Sequence, residues 1–446
     1  MSTVQTPAGP AAGPGPDGPG DPYGLIRGPR QIVFGPGQRH GLGRIVASLG
    51  GNALVCTDGR MAEQPEFREM VADLRDCGVT VRVFAGVEAE LPTPTIADCV
   101  AGLAGVPVDV VVGIGGGSCV DHAKVVSMLL VHGGQPRDYY GEFKVPGPAL
   151  PVVAVPTTAG TGSEVTPVAV LADPDREMKV GISSPHLIPH TALVDPELTY
   201  SCPRPLTAHA AADALTHCVE AFTAVRRAAT PTLGTERVFV GKSLLTDSFA
   251  LAGMELIGRS LVAADADGAD RTARHELHLA AIYGGLALGT AGTAAAHALQ
   301  YPIGAVTHTP HGAGVGALLP YVMAYNLPAR VAEFAEVATA LGVPDEPGAD
   351  PAGRARAAVH RVAELLGAVG IPRDLAELGL SADRLDWAAE QGMTAARLVQ
   401  NNPRPLDPTE LRRIVGAAYA GDLASLLPEP AGTGTNPSTS GGEEAR

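Results

Sequence analysis

The sequence predicts two folded parts in series, an α/β part with a mostly parallel sheet and then an all-helical part. Three observations support this fold class. Short β-branched runs alternate with amphipathic stretches up to about residue 200. Long Ala/Leu-rich stretches with helical spacing follow. Both ends of the chain are rich in Gly with Pro or Ser and lack apolar runs. Strands that alternate with helices indicate βαβ units, whereas helical spacing alone indicates packed helices.

These patterns divide the 446-residue chain into four predicted segments. Residues 1–22 and 428–446 cannot bury a core, so we expect two disordered tails. Residues 23–200 form the predicted α/β domain, and residues 201–427 form the predicted helical domain. The chain is long enough for two domains of ordinary size.

Each predicted element has a local pattern of its own. The strands are short β-branched runs, at residues 31–34, 53–57, 79–84, 108–114, 152–155 and 192–194. Amphipathic stretches at residues 65–77 and 94–103 predict helices between them. In the second part, apolar residues recur at helical spacing in residues 208–224, 233–261, 271–299, 313–325, 331–341, 351–369 and 408–420.

Composition excludes several classes of function. The chain has 32 basic and 47 acidic residues, a net charge of −15, and no basic stripe, so we expect no nucleic-acid partner. No apolar run approaches the roughly 20 residues that span a bilayer. The N-terminal segment lacks the pattern of a signal peptide, so we expect a cytoplasmic protein without membrane contact. The six cysteines include no C-x-x-C pair and indicate reduced, mostly structural thiols.

A carboxylate and a histidine lie at helical spacing in the second part. Asp213 and His217 are four residues apart, and positions i and i+4 of an α-helix share one face. His297 and His311 lie well downstream. One carboxylate and three imidazoles suit Fe(II) or Zn(II), whereas Ca²⁺ and Mg²⁺ prefer oxygen ligands. The four residues are therefore a candidate metal site.

A glycine-rich turn follows the predicted strand at residues 108–114. Gly115, Gly116 and Gly117 would let phosphate oxygens approach the backbone, and Ser118 is expected to cap the next helix, whose N-terminus favours an anion. The turn matches neither the standard dinucleotide fingerprint nor a Walker A loop. A β-turn-α connection of this kind also occurs without a ligand, so both interpretations stay open for this turn.

A second loop follows the strand at residues 152–155. Its hydroxyl side chains, Thr157, Thr158, Thr161 and Ser163, can hydrogen-bond ribose or phosphate, although a polar surface loop would show the same residues. Two such loops after two buried strands favour a shared cleft. Asp58 ends another strand, where a carboxylate commonly binds an adenosine ribose and repels a 2′-phosphate. This favours NAD(H) over NADP(H), with a simple turn residue as the alternative.

Together these segments resemble the iron-containing (group III) alcohol dehydrogenase family, over roughly residues 32–419. The matching segments stand in the family's order: Phe34-Gly-Pro-Gly, Gly115-Gly-Gly-Ser with Asp121 and Lys124, Thr157-Thr-Ala-Gly-Thr-Gly-Ser-Glu-Val-Thr, Asp195-Pro-Glu-Leu, Asp213-Ala-Leu-Thr-His, Pro310-His-Gly and Asn402-Pro-Arg. The resemblance implies a nucleotide-binding α/β domain, a helical metal-binding domain, a cleft between them, and thus a dehydroquinate synthase-like architecture.

The resemblance also implies the roles of individual residues. The metal ligands would be Asp213, His217, His297 and His311, and the Pro-His-Gly match selects His311 over the neighbouring His308. The nicotinamide cofactor would lie along the loop of Gly115, Gly116, Gly117 and Ser118 and along the loop of Thr157, Thr158, Thr161 and Ser163, with Asp58 near the ribose. Asp121 and Lys179 match positions at or near the nucleotide. His209, four residues before Asp213, is a further candidate to approach the site.

One position departs from the family pattern. Family members often have a second histidine four residues after the third ligand, near the nicotinamide, and this chain has Tyr301 there. A tyrosine hydroxyl still donates and accepts hydrogen bonds, but its ordinary pKa is about 10 instead of about 6.5. We therefore expect metal binding to survive and a catalytic role for Tyr301 in the cleft, and we do not assume a simple primary alcohol as the substrate.

The expected activity is hydride transfer between nicotinamide C4 and a small alcohol or aldehyde bound to Fe(II) or Zn(II). Two alternatives keep the fold. A metal- and NAD-dependent lyase of the dehydroquinate synthase type would have a Glu in place of Asp213 and more basic phosphate-binding residues. A maleylacetate reductase is less favoured because the Asp/His/His/His set is complete. The family is often dimeric, so a homodimer or higher homo-oligomer is expected.

Overall fold

The structure is a computed structural model that describes residues 22–176, 179–345 and 350–428. The predicted disordered tails therefore lie outside the described residues, apart from Pro22 and Pro428.

In the described part of the first half, nine strands form two sheets. The strands are β1 (Gln31–Phe34), β2 (Asn52–Cys56), β3 (Thr80–Phe84), β4 (Val110–Gly115), β5 (Gly141–Glu142), β6 (Val152–Pro156), β7 (Val168–Leu171), β8 (Val180–Ser183) and β9 (Thr191–Val194). Six of them form one sheet in the order β1-β9-β6-β4-β2-β3, and every neighbouring pair is parallel. This confirms the predicted parallel sheet.

The remaining three strands were not predicted from the sequence. They form a small sheet in the order β5-β8-β7, in which β7 and β8 are antiparallel. Strands β5, β7 and β8 contain only two to four residues each.

Five helices accompany these strands: α1 (Leu42–Ala47), α2 (Gly59–Ala62), α3 (Pro65–Asp76), α4 (Thr93–Ala101) and α5 (Gly117–His132). Strands β4 and β6 lie at the centre of the large sheet, and all of their residues are buried. A parallel sheet covered on both faces requires such continuous apolar runs. Since α5 begins directly after β4, the helix N-terminus lies at the carboxyl edge of the sheet, where ligands of open α/β sheets bind.

The second half contains eleven α-helices among the described residues: α6 (Arg204–Thr223), α7 (Leu233–Glu236), α8 (Leu244–Ala266), α9 (Arg271–Ala291), α10 (Ala295–Thr307), α11 (His311–Asn326), α12 (Val331–Ala340), α13 (Pro351–Ala368), α14 (Leu385–Thr394), α15 (Ala396–Asn401) and α16 (Pro408–Ala420). No strand follows β9 in the part of the chain that the structure describes. This confirms the all-helical second half.

Two predicted continuous helical segments are wrong. Residues 233–261 are divided between α7 and α8, and residues 271–299 are divided between α9 and α10. Gly241 and Gly292 lie in these breaks with φ values of 81° and 83°, a conformation that disfavours other residues. Helices α14 and α15 were not predicted.

Among the described residues no single helix is long and apolar enough to cross a membrane. Helices α9 and α10 have the necessary length and apolar composition only when they are taken together, and the chain bends by 104° between them.

Candidate active site

A cavity of about 380 Å³ lies between the carboxyl edge of the large sheet and the helices α6, α10 and α11. Most residues predicted from the sequence line it, namely Gly116, Gly117, Ser118, Asp121, Thr158, Thr161, Ser163, Lys179, Asp213, His217, His297, Tyr301 and His311. The tertiary structure thus brings the two glycine/hydroxyl loops and the candidate metal ligands to one cavity.

Three of the predicted cofactor residues do not line this cavity. Asp58 is half-buried and caps α2, where its carboxylate accepts a hydrogen bond of 2.8 Å from the Met61 amide. Gly115 ends β4 with a φ of 148°. Thr157 is buried and donates its amide to the Gly115 carbonyl. Gly115 and Thr157 thus hold the two loops side by side from behind the cavity wall.

Asp213, His297 and His311 place donor atoms within 4.8 Å of one another, and His217 lies beside them through its contact with Asp213. The Nε2 atoms of His217, His297 and His311 lie 3.3, 3.7 and 3.6 Å from Oδ1 of Asp213. Helix α6 supplies Asp213 and His217 from one face, whereas His297 and His311 come from the first turns of α10 and α11. The i, i+4 spacing accounts for the first pair, and the packing of α11 against α6 and α10 brings in the other two.

Two polar atoms of this cluster have no hydrogen-bond partner among the described residues. Oδ1 of Asp213 and Nε2 of His297 are both buried without a hydrogen bond. Buried polar atoms are normally paired, because an unpaired one loses its hydration without compensation. A carboxylate oxygen and three imidazole nitrogens in such a cluster form a donor set that fits a divalent transition metal.

The electrostatics of the cluster also suit metal ligation. Burial lowers the pKa of His217 to about 4 and that of His311 to about 3, so both imidazoles are neutral at pH 7. Burial alone would raise the pKa of Asp213, but the neighbouring histidines, His217 first, lower it below its ordinary range. The ionised carboxylate and the two neutral imidazoles offer three lone pairs to a cation, and His297 would release a proton from Nε2 to supply the fourth.

A fifth residue, Glu220, supports the cluster and was missed by the sequence analysis. Its carboxylate accepts from the amides of Ala294 and Ala296, at 2.8 and 2.7 Å, and lies 2.6 Å from Nδ1 of His297. Because the carboxylate already acts as an acceptor, we assign Nδ1 of His297 as a donor. Burial lowers the pKa of His297, but Glu220 more than offsets this and raises that pKa to about 9.

The structure separates His311 from the neighbouring His308 as a candidate metal ligand. His311 lies in the cluster, and its ring centroid is 5.3 Å from that of His297. His308 is exposed at the end of α10, with a φ of 54°, and does not line the cavity. His209 does line the cavity, four residues before Asp213 on α6.

The glycine turn meets the second loop at the start of α5. A Cβ atom on Gly117 would lie 2.7 Å from the Thr161 side chain, so the close approach requires glycine there. Gly116, and not Ser118 as expected, is the N-cap, and no side chain caps the helix. The amino end of a sixteen-residue helix therefore faces the cavity without a side-chain acceptor, which suits a phosphate group.

A buried ionic network supports the second loop. The Nζ atom of Lys124 donates to Oγ of Ser163 at 2.9 Å and to the carbonyl of Val168 at 2.8 Å, and it lies 3.6 Å from the Asp121 carboxylate. Ser163 in turn donates to Asp121. Burial lowers the pKa of Lys124 to about 8. The hydroxyl of Ser163 is therefore already occupied, and its contribution to the cavity is to position the loop.

An aromatic residue and two cations also line the cavity. The Tyr301 ring is 6.3 Å from that of His311, and burial raises the pKa of its hydroxyl, so the hydroxyl stays protonated at pH 7. Lys179 forms an ion pair with Glu90, and both residues line the cavity. Arg397, on α15, lines it as well. No local pattern near Arg397 marked this residue in the sequence.

A second group of possible donors lies in the core of the α/β part. Donor atoms of Cys56, Cys99 and His122 lie within 4.8 Å of one another, and all three residues are buried. His122 stacks on Phe84 with centroids 5.1 Å apart. Burial raises the pKa of Cys56 and lowers that of His122 to about 4, so these two side chains are uncharged parts of the core.

Sequence profiles of one family match both halves of the chain. The profile described as Iron-containing alcohol dehydrogenase matches residues 29–196, and that of the Fe-containing alcohol dehydrogenase family, C-terminal, matches residues 207–419.

Individual proteins are similar over nearly their whole length. Long-chain-alcohol dehydrogenase 1 of Geobacillus thermodenitrificans is 34% identical over 403 residues, which cover 88% of this chain and 98% of that protein. The NAD-dependent methanol dehydrogenase of Bacillus methanolicus is 31% identical over 388 residues, or 87% and 97% of the two chains. The crystal structure of a 1,3-propanediol oxidoreductase superposes with a TM-score of 0.82 at 30% identity, covering 89% of this chain and 99% of that one. The chain belongs to the iron-containing alcohol dehydrogenase family.

Proposed function

We propose that this alcohol dehydrogenase is metal-dependent and uses NAD(H), with Fe(II) or Zn(II) as the metal. Its reaction would be reversible hydride transfer between a nicotinamide and a small alcohol or aldehyde. The observation that carries this proposal is the convergence of three imidazole Nε2 atoms on the unpaired Oδ1 of Asp213, in the same cavity as the two glycine/hydroxyl loops.

Asp213, His217, His297 and His311 would hold the metal. When bound there, a divalent metal supplies Lewis-acid polarisation of an alcohol or carbonyl oxygen. Glu220 would keep Nε2 of His297 directed at that position, because it accepts from Nδ1 on the other side of the ring. A buried carboxylate of this kind also limits the rotation of the imidazole and so preserves the geometry of the donor set.

The cofactor would lie along the two loops. Its phosphates would contact the backbone at Gly116 and Gly117 and the N-terminus of α5, with Thr158 and Thr161 opposite. The nicotinamide supplies or accepts the hydride when bound. In this proposal Gly115 and Thr157 hold the two loops together. The second loop is fixed by the hydrogen bonds among Asp121, Lys124 and Ser163.

The preference for NAD(H) over NADP(H) rests on Asp58. Its carboxylate caps α2 and lies close to the glycine turn, because a Cβ on Gly115 would be 3.6 Å from it. A negative charge at the end of this strand would repel a 2′-phosphate.

Tyr301 has a neutral hydroxyl that faces the cavity next to His311. We assign it a hydrogen bond to the substrate oxygen, in which it donates to an aldehyde or accepts from an alcohol. We also propose a cytoplasmic enzyme, since all six cysteines are unpaired, and a homodimer or larger oligomer, which analytical ultracentrifugation would test.

One experiment tests the proposal directly. The purified chain would be stripped of metal, reloaded with Fe(II) or Zn(II), and assayed for oxidation of NADH and NADPH with a panel of small aldehydes. We expect turnover only in the reloaded protein, a preference for NADH, and loss of both metal and turnover in Asp213→Ala. Full activity of the metal-free protein would contradict the proposal, as would failure of every aldehyde to react.

A further inference from the structure

One cation of the cavity has no anionic partner among the described residues. Its two permanent cations are Lys179 and Arg397. Lys179 is paired with Glu90. Arg397 makes no ion pair and no hydrogen bond among the described residues, and its Nη1 atom is buried. Arg397 is half-buried, and a buried N–H group such as that of Nη1 is costly unless a ligand completes its hydrogen bonds.

The position of Arg397 is well defined. Its guanidinium lies 4.2 Å from the centroid of the Phe239 ring, so a cation–π contact orients the group and leaves its N–H edge available. Arg397 and Tyr301 also both line a second cavity, of about 920 Å³, which adjoins the first. The guanidinium therefore lies where a substrate could reach it from either cavity.

The carboxylates that act on Arg397 are already engaged elsewhere. Glu142 and Glu220 both act electrostatically on the guanidinium, but neither is within ion-pair distance. Glu142 accepts from the Val238 amide at 2.6 Å, and Glu220 accepts from His297 and two amides. Neither of them neutralises Arg397 by contact.

Tyr301 links the arginine to the candidate metal ligands. Its ring lies beside His311, and Tyr301 and Arg397 line both cavities together. A short substrate held at the ligand cluster would therefore extend past Tyr301 toward the guanidinium.

We propose that Arg397 binds the anionic end of the substrate, so that the enzyme acts on short aldehydes or alcohols that carry a terminal carboxylate. This inference rests on the proposed function. The planar fork of an arginine matches two carboxylate oxygens, and phosphonate oxygens share this chemistry. Without such a group, Arg397 would have no ion pair within the cavity.

The test compares matched pairs of aldehydes that differ only in the terminal group. The metal-loaded enzyme would be assayed with succinic semialdehyde against butanal, glutaric semialdehyde against pentanal, and phosphonoacetaldehyde against propanal. We expect kcat/KM to favour at least one acidic member by about tenfold or more. In Arg397→Gln, the ratio of acidic to neutral kcat/KM should fall by about ten- to a hundredfold. The phosphonate pair decides whether the site takes carboxylates alone.

Two further variants make the test specific. Arg397→Lys keeps the charge but not the fork, so its ratio should lie between those of the wild type and Arg397→Gln. Arg384→Gln is the matched control, because the Arg384 guanidinium lies 5.4 Å from the Trp387 centroid and lines neither cavity. This control should keep the wild-type ratio. Equal thermal melting points would show that each variant is folded.

Several outcomes would overturn the inference. If the wild type prefers the neutral aldehyde of every pair, the inference is wrong, whereas the proposed function stands. An unchanged ratio in Arg397→Gln, combined with a raised KM for NADH, would assign the arginine to the cofactor instead. Absence of turnover with all six aldehydes would instead count against the proposed function itself.

Discussion

Oε2 of Glu220 lies 2.6 Å from Nδ1 of His297, although the two residues are 77 positions apart in the chain. The same carboxylate accepts the amides of Ala294 and Ala296 at the start of α10. A single buried side chain of α6 thus sets both the path of the backbone that enters α10 and the orientation of the imidazole that follows. This contact joins the two helices on which three of the four candidate ligands lie.

Glu220→Gln should weaken metal binding by about ten- to a hundredfold, because the outer partners of ligating histidines typically contribute that much. Glutamine keeps the shape of the side chain but loses the charge that favours an Nδ1 donor on His297. Competition with a chelator would measure the affinity. Glu276→Gln, at the surface ion pair with Arg259, is the matched control and should bind metal like the wild type. An unchanged affinity in Glu220→Gln would contradict the role of this contact.

His311→Ala and His308→Ala should behave in opposite ways. Loss of His311 removes one donor from the cluster, so bound metal and turnover should both fall at least about tenfold. His308 is exposed outside the cavity, and its variant should retain the wild-type metal content by elemental analysis. The reverse pattern would show that the ligand is His308.

Asp58→Ser should relax the preference for NADH. Serine still caps a helix, so the N-cap of α2 survives while the charge is removed. We expect kcat/KM with NADPH to rise by roughly tenfold relative to that with NADH, since a carboxylate no longer faces the 2′-phosphate. Steady-state kinetics with both cofactors measure this ratio. If the ratio stays at its wild-type value, Asp58 has only the structural role of a cap.

Tyr301→Phe should keep the metal but lower kcat/KM. The ring contacts remain, and only a hydroxyl that has no hydrogen bond among the described residues is removed. One lost hydrogen bond to a substrate oxygen corresponds to roughly a tenfold change. Metal analysis and aldehyde kinetics on the same preparation separate the two effects. An unchanged kcat/KM in Tyr301→Phe would mean that the hydroxyl does not contact the substrate.

His278→Leu should make stability less dependent on pH on the acidic side. His278 is fully buried on α9, and neither ring nitrogen has a hydrogen-bond partner among the described residues. Burial lowers its pKa to about 3, so the folded protein keeps it neutral while the unfolded chain takes up a proton below about pH 6.5. More protons on the unfolded chain mean that stability falls as the pH falls from about 6.5 toward 3.

The leucine variant lacks this contribution. Relative to wild type, its free energy of unfolding should therefore improve by about 2 kcal/mol between pH 7 and pH 5. Urea titrations of both proteins at a series of pH values provide the comparison. Parallel stability curves would show that His278 does not titrate on unfolding.

Local patterns were enough for the parts of this protein that lie within one element. Asp213 and His217 share a helix face at i, i+4, and the apolar runs of β4 and β6 mark buried strands, so the sequence predicted the parallel sheet and half of the candidate metal site directly. The assignment of His297 and His311 as the other two candidate ligands rests on the family resemblance, because a histidine in an apolar helix has no local signature of ligation. The domain boundary near residue 200 and the ligand roles stay predictions.

Tertiary structure decided what depends on contacts between distant segments. The break at Gly292 turns one predicted helix into two and so directs His297 at Asp213. The placement of Glu220 behind His297, and the unpaired guanidinium of Arg397 in the cavity, appear in no local pattern of residues. The physical reason is that helix and strand periodicities record which face of an element is buried, whereas the partner of a buried charge is chosen by the packing of elements that are far apart in the chain.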